Sequence, residues 1–342
     1  MSYGQPLAHA LTRRRRVGQS SRGVHLSCKQ RMPSSVSNIW CYADARASGD
    51  GAVTFAIELA RMHGAALSFV CVMESPGDRL LHSPVGKDLV RMLEADKIER
   101  LQRMEEQARA SLPESDVSRT VLRGEVAWYT LTASVMTHRP DLVIVAAEEN
   151  PDADLFGTLS QHLFRKCPVP VWSIPASSTR FPLRALLAID PGAKSSDARL
   201  LSREVLRLAM VLSEGTGIEL HIGHAWDLWG ERMIATKYGE AGTEALRQIQ
   251  QEYARADMDE LLLEGRCADR IASVHYPQGE PRGAIPKLAD EIEADIVFLG
   301  SAARRGFEGF FIGSVAETII SRLGCSALVI KRPGFESPVR AG

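Results

Sequence analysis

One pattern occurs twice in this chain, about 155 residues apart. RGEVAWYTLTASVMTHRPDLVIVAA (123–147) reads like QGEPRGAIPKLADEIEADIVFLGS (278–301). Each has Gly-Glu, a helix-like stretch, then Asp and a short apolar run. RKCPVPVW (165–172) reads like RLGCSALVI (322–330), and IWCYADA (39–45) like LLAIDPG (186–192). A repeat of domain size means that one fold is built twice. The Pro/Ser stretch IPASSTRFP supplies the break near 175–182. The expected units are 38–176 and 180–334, flanked by a basic, unstructured leader at 1–37 and a short tail at 335–342.

Each unit reads as five strands alternating with helices. In the second, strands are expected at 183–189, 218–225, 271–276, 295–299 and 326–331. Helices are expected at 195–213, about 240–264, 282–293 and 314–323. Strand runs without polar alternation are buried on both faces. Alternation with helices then implies an α/β fold: two tandem units, each a five-stranded parallel sheet with helices on both faces. Apolar spacing places Ala245, Ile249, Tyr253, Ala256 and Leu261 on the core face of the helix near 240–264. Leu89, Leu93, Leu101 and Met104 do the same near 87–111, with the methionines as core filler.

The chain is 45% hydrophobic and 24% charged over 342 residues, with no apolar run of membrane-spanning length. Its net charge of −1 conceals an asymmetry. Residues 1–37 hold seven Lys/Arg and no Asp/Glu, leaving 34 basic against 42 acidic residues elsewhere. The leader has no secretory pattern. It reads either as a dispensable segment ahead of a true start at Met32, or as a basic arm for nucleic acid or anionic lipid. Otherwise no nucleic-acid or membrane partner is expected. Six scattered cysteines form no C-x-x-C pair, which fits small buried residues in a reducing cytoplasm.

FLGSAARRGFEGFFIGSVAETII (298–320) carries the chemistry. A helix N-terminus preceded by glycine attracts phosphate, and Gly313-Ser314 supplies one. Arg304 and Arg305 add charge, and Asp190 is placed to accept from a ribose or base. A plainer reading stands beside this one. Ser314-Val-Ala-Glu317 is a capping box, and Gly313 then serves a left-handed turn. Phe307, Phe310 and Phe311 read as a lid on the crevice, a packing face, or contacts to an apolar ligand.

DIVFLGSAARRGFEGFFIGSVAETIISRLGCSALVIKRP resembles the C-terminal signature of universal stress proteins: Gly, two residues, Gly, nine residues, Gly, then Ser or Thr. Gly-Glu-Pro at 279–281 and the start of each unit also fit, so the resemblance covers about 38–333. It implies domains that pair through their last strand, either between units of one chain or in a homodimer. Some members bind ATP, with slow or no hydrolysis; others bind none. Carried over by position, the nucleotide shell comprises Ala188, Asp190, Ala225, Leu299, Gly300, Ala303, Gly313, Ser314, Val315 and Ala316, with Mg only if ATP binds.

Ala303 stands where the motif has its second glycine, and its Cβ costs roughly 1 kcal/mol if φ is positive. In the first unit Ala146 replaces the first glycine. Glu148, Glu149, Asp152 and Asp154 fill its loop and repel a triphosphate. Nucleotide is therefore expected in the second unit only. A cation between those carboxylates is the lesser alternative to an exposed acidic loop. His221 and His224 fall on opposite faces of a strand, poor co-ligands for a metal. DPGAKSSD (190–197) lacks the paired glycines of a pyrophosphatase loop. No nucleophile–base set appears. The functional expectation is a non-catalytic ligand-sensing or interaction module for stress survival. A slow ATPase and a carrier of an apolar molecule are the alternatives.

Overall fold

The computed structural model describes residues 35–42, 50–74, 83–112, 116–147, 158–175, 178–193, 195–301 and 313–340. The first unit runs β1 (Asn38–Tyr42), α1 (Asp50–His63), β2 (Ala66–Glu74), α2 (Pro84–Ser111), β3 (Val117–Gly124), α3 (Ala127–His138), β4 (Leu142–Ala146), α4 (Thr158–Lys166) and β5 (Val171–Ile174). The second runs β6 (Arg184–Ala188), α5 (Ser196–Ser213), β7 (Glu219–Gly223), α6 (Glu231–Gly265), a 3-10 turn (Ala268–Arg270), β8 (Ile271–His275), α7 (Pro281–Glu291), β9 (Ile296–Ser301), α8 (Ser314–Ile320) and β10 (Ser326–Lys331).

All ten strands join one sheet in the order β3-β2-β1-β4-β5-β10-β9-β6-β7-β8. Every pairing is parallel except the central one. There β10 runs antiparallel to β5, with Ala327 opposite Ser173, Leu328 opposite Trp172 and Val329 opposite Val171. The two units thus pair through their last strands within a single chain. Every residue of β4, β5 and β10 is buried, as expected where helices cover both faces.

Strand alternation sorts the core into two layers. Ile39, Phe69, Ile144, Trp172, Leu187, Phe298 and Leu328 face one way with α1, α2, α5 and α6. Trp40, Val143, Val171, Leu186, Val297 and Val329 face the other with α3, α4, α7 and α8. Both layers run unbroken across the seam. Phe181, from the connection between units, packs edge-on against Phe55 and Trp172 at 5.8 and 6.2 Å.

Three local expectations are corrected. The helix expected from about 240 begins at Glu231 and bends at Gly239, whose φ of 68° and ψ of −174° are open to glycine without strain. The core face of α6 is formed by Thr243, Ala254, Met258, Leu261 and Leu262, whereas Ile249 and Tyr253 are exposed. In α2, Leu101 and Met104 are buried as expected, but Leu89, Met92 and Leu93 are exposed. Five described cysteines are free. Burial pushes the Cys41, Cys167 and Cys325 thiols up to about 12, keeping them protonated and poorly nucleophilic.

Candidate functional site

The second half-sheet reverses its direction of winding at β6. The chain moves outward to β7 and β8, then returns to β9 on the other side of β6. Open parallel sheets hold ligands beyond the carboxyl ends of the strands at such a point. Ala188 ends β6 there, paired with Gly223 of β7 and Leu299 of β9. Asp190 is exposed two residues further on, and its carbonyl accepts a 2.9 Å hydrogen bond from Ser202 Oγ of α5. Ala225 lies half-buried past β7, and Leu299 is buried beside Gly300. Small side chains therefore surround the switch point.

Two residues brace this crevice: His224, weighed from sequence only as a metal ligand, and Trp226, not singled out there. His224 Nδ1–H donates to the carbonyl of Ile189 at 3.1 Å, tying the end of β7 to the end of β6. Trp226 Nε1 donates to the carbonyl of Tyr276 at 3.0 Å, and the Gly279 amide donates to the Trp226 carbonyl at 2.8 Å. The wall between β7 and β8 is thereby fixed beyond the strands themselves. His224 and His221 do not meet. His221 Nδ1 lies 3.1 Å from His275 Nε2 on the neighbouring strand, so opposite faces give the two histidines separate partners.

Gly300 has a packing reason to be glycine. A Cβ there would lie 2.5 Å from Leu201 Cγ and 2.7 Å from its Cδ2. α5 presses onto β9 through this leucine, a contact that no local motif reveals.

The capping box expected at 314–317 does not form. Gly313 is the N-cap of α8, with φ −42° rather than a left-handed turn and no side-chain cap bond. Ser314 is instead the first helical residue. Its exposed hydroxyl accepts from Arg282 Nη2 of α7 at 2.9 Å. Glu317 pairs with Arg165 of α4 in the other unit. Two long-range arginines have outcompeted a local cap, since hydrogen bonds with a charged partner are the stronger ones. Val315 is exposed and Ala316 is buried. Ala303, Arg304, Arg305 and the phenylalanines at 307, 310 and 311 lie outside the described residues, as do Glu148, Glu149, Asp152 and Asp154 of the first unit.

The profile of the universal stress protein family matches this chain twice, over residues 37–175 and 184–331. The chain belongs to the universal stress protein family. Universal stress protein E of Salmonella typhi is 26% identical over 223 residues, 63% of this chain and 70% of that one. A functionally unknown protein of Pseudomonas aeruginosa PAO1 has a similar structure, with a TM-score of 0.63 and 19% identity over 87% of this chain and 94% of its own. A universal stress protein of Archaeoglobus fulgidus aligns with a TM-score of 0.57 and 18% identity, over 88% and 99% of the respective chains. The structural likenesses establish the fold alone. Together with the two family matches they identify the architecture as a tandem of universal stress protein units.

Among the described residues, no helix is long and apolar enough to cross a membrane, and no group of three or more His, Cys, Asp or Glu is placed to hold a metal ion.

Proposed function

We propose that this tandem universal stress protein is a cytoplasmic, non-catalytic ligand-sensing module for stress survival, with one nucleotide site, in the second unit. The observation that carries this reading is the Arg282–Ser314 contact. It puts a guanidinium 2.9 Å from an exposed hydroxyl at the start of α8, close to where the family motif has phosphates. Ala188, Ala225 and Gly300 keep the strand ends beside it small. The Asp190 carboxylate is exposed, free to accept from a ribose hydroxyl. A triphosphate would bring Mg with it; the protein side would supply backbone N–H groups and the Ser314 hydroxyl.

The first unit differs from the second at two points of its sequence. Ala146 ends β4 where the second unit has Gly300 nearby, and acidic residues dominate the following loop in sequence. Its role in this reading is to complete the sheet, with the seam holding both units together.

Mass spectrometry of ligand extracted from the purified full-length protein tests the proposal. Nucleotide, released in about equimolar amount, is the expected result. A lipid-like molecule would favour an apolar carrier. ATP turnover well above background, lost on mutation of Gly313, would favour an enzyme.

A further inference from the structure

The two units differ at one matched position outside the nucleotide crevice. In unit 1 the second residue of α3 is Trp128. Its indole stacks on His162 of α4 at 4.6 Å and 16°, and Lys166 Nζ sits over the ring at 3.5 Å. His162 and Lys166 are the fifth and ninth residues of α4. An aromatic ring thus fills the groove between the two helices, beneath a cation.

Unit 2 has the same helix pair and the same groove, without the ring. The second residue of α7 is Arg282, whose side chain turns away to Ser314. The fifth and ninth positions counted from the start of α8 are Thr318 and Arg322. They line a cavity of about 600 Å³ together with Gln278, Gly283 and Lys287. A Cβ built at Gly283 meets nothing within 4 Å. Arg322 is held at the wall by its 3.2 Å hydrogen bond from Nη1 to the Arg282 carbonyl. Lys287 and Arg322 bring two cations to this lining, beside an Arg282 guanidinium already engaged by Ser314, against the single carboxylate of Glu280. The Lys287–Glu291 pair, at 3.4 Å, is solvent-exposed on both sides and is cheaply given up.

We propose that this cavity is a second binding site, for a small aromatic anion: a flat ring bearing a carboxylate. The ring takes the place that the Trp128 indole occupies in unit 1 and stacks on the Arg322 guanidinium. The carboxylate pairs with Lys287. The site is separate from the crevice beyond β6 and β9, so a bound nucleotide does not compete for it.

Indole-3-acetate is a suitable probe, since it joins the ring of Trp128 to a carboxylate. Titration calorimetry on the full-length protein compares it with indole and with acetate. The expected result is one saturable site, with indole-3-acetate bound about tenfold or more tightly than either fragment. Arg322→Gln weakens it by about tenfold, and Gly283→Trp, which fills the cavity, removes it. Saturating ATP leaves the affinity unchanged. No saturable binding overturns the proposal, as does equal affinity in wild type and Arg322→Gln. Competition by ATP also overturns it, because it would put the ring in the nucleotide crevice.

Discussion

Lys331 Nζ, at the end of β10, donates to the main-chain carbonyl of Phe164 in α4 of the other unit. Its second acceptor is Ser301 Oγ at 3.0 Å, and the Phe335 ring lies 5.3 Å away. No carboxylate is among these partners. Cys167 nearby is a neutral thiol, and the arginines around it are engaged, Arg165 with Glu317 and Arg332 with Asp197. The residues after β10 close the enclosure. Phe335 and Val339 are buried, and Ser337 Oγ donates to the Lys166 carbonyl.

Burial lowers the Lys331 amine from 10.5 to about 7. Between those values the unfolded chain binds a proton that the folded chain does not, so stability rises with pH across that window. Below about pH 7 both states are charged, and the full cost of burial is present. Wild type is therefore expected to gain on the order of 1–2 kcal/mol on Lys331→Met between pH 7 and pH 9. The Met variant is the more stable of the two at pH 7. Denaturant midpoints at both pH values check this. A gap that does not narrow as pH rises contradicts it.

Gly300→Ala separates packing from ligand approach. The added methyl collides with Leu201, so a loss of about 1–3 kcal/mol in unfolding free energy is expected without any ligand. Leu201→Ala in the same chain returns part of that loss, because the two sites share one contact. If Gly300 served phosphate alone, apo stability would not change.

The Arg165–Glu317 pair joins the units and is partly exposed, with side-chain exposures of 28% and 37%. A double-mutant cycle should give a coupling of about 0.5–1 kcal/mol that falls in high salt. Trp172→Ala at the seam is expected to cost far more, about 3–5 kcal/mol, because the indole is 1% exposed between α1 and the neighbouring strands. Comparable losses in the two experiments would mean that the ion pair, not the apolar seam, dominates the joining of the units.

The repeat and the parallel alternation were legible because burial on both faces leaves uninterrupted apolar runs such as Leu142–Ala146. Helix faces were only partly legible. Spacing cannot tell which end of a long helix lies over the sheet, so Leu89 and Leu93 look like core yet are exposed. Ser314 and Glu317 carry a valid capping signal, but its outcome depends on Arg282 and Arg165, 32 and 152 residues away. The packing role of Gly300 was hidden for the same reason, since Leu201 is distant in sequence. The positions that misled local reading are those where a long-range partner decides.

The central claim is one nucleotide site per chain, in the second unit. Equilibrium titration of the apo protein with Mg-ATP measures it directly, in wild type and in Ser314→Asp. The variant places a carboxylate at the expected phosphate position, and acidic residues at a helix N-terminus are otherwise well tolerated. The predicted result is a stoichiometry of one in wild type, with affinity lost in the folded variant by at least tenfold. Two nucleotides per chain, or one that binds Ser314→Asp as tightly as wild type, would contradict the account.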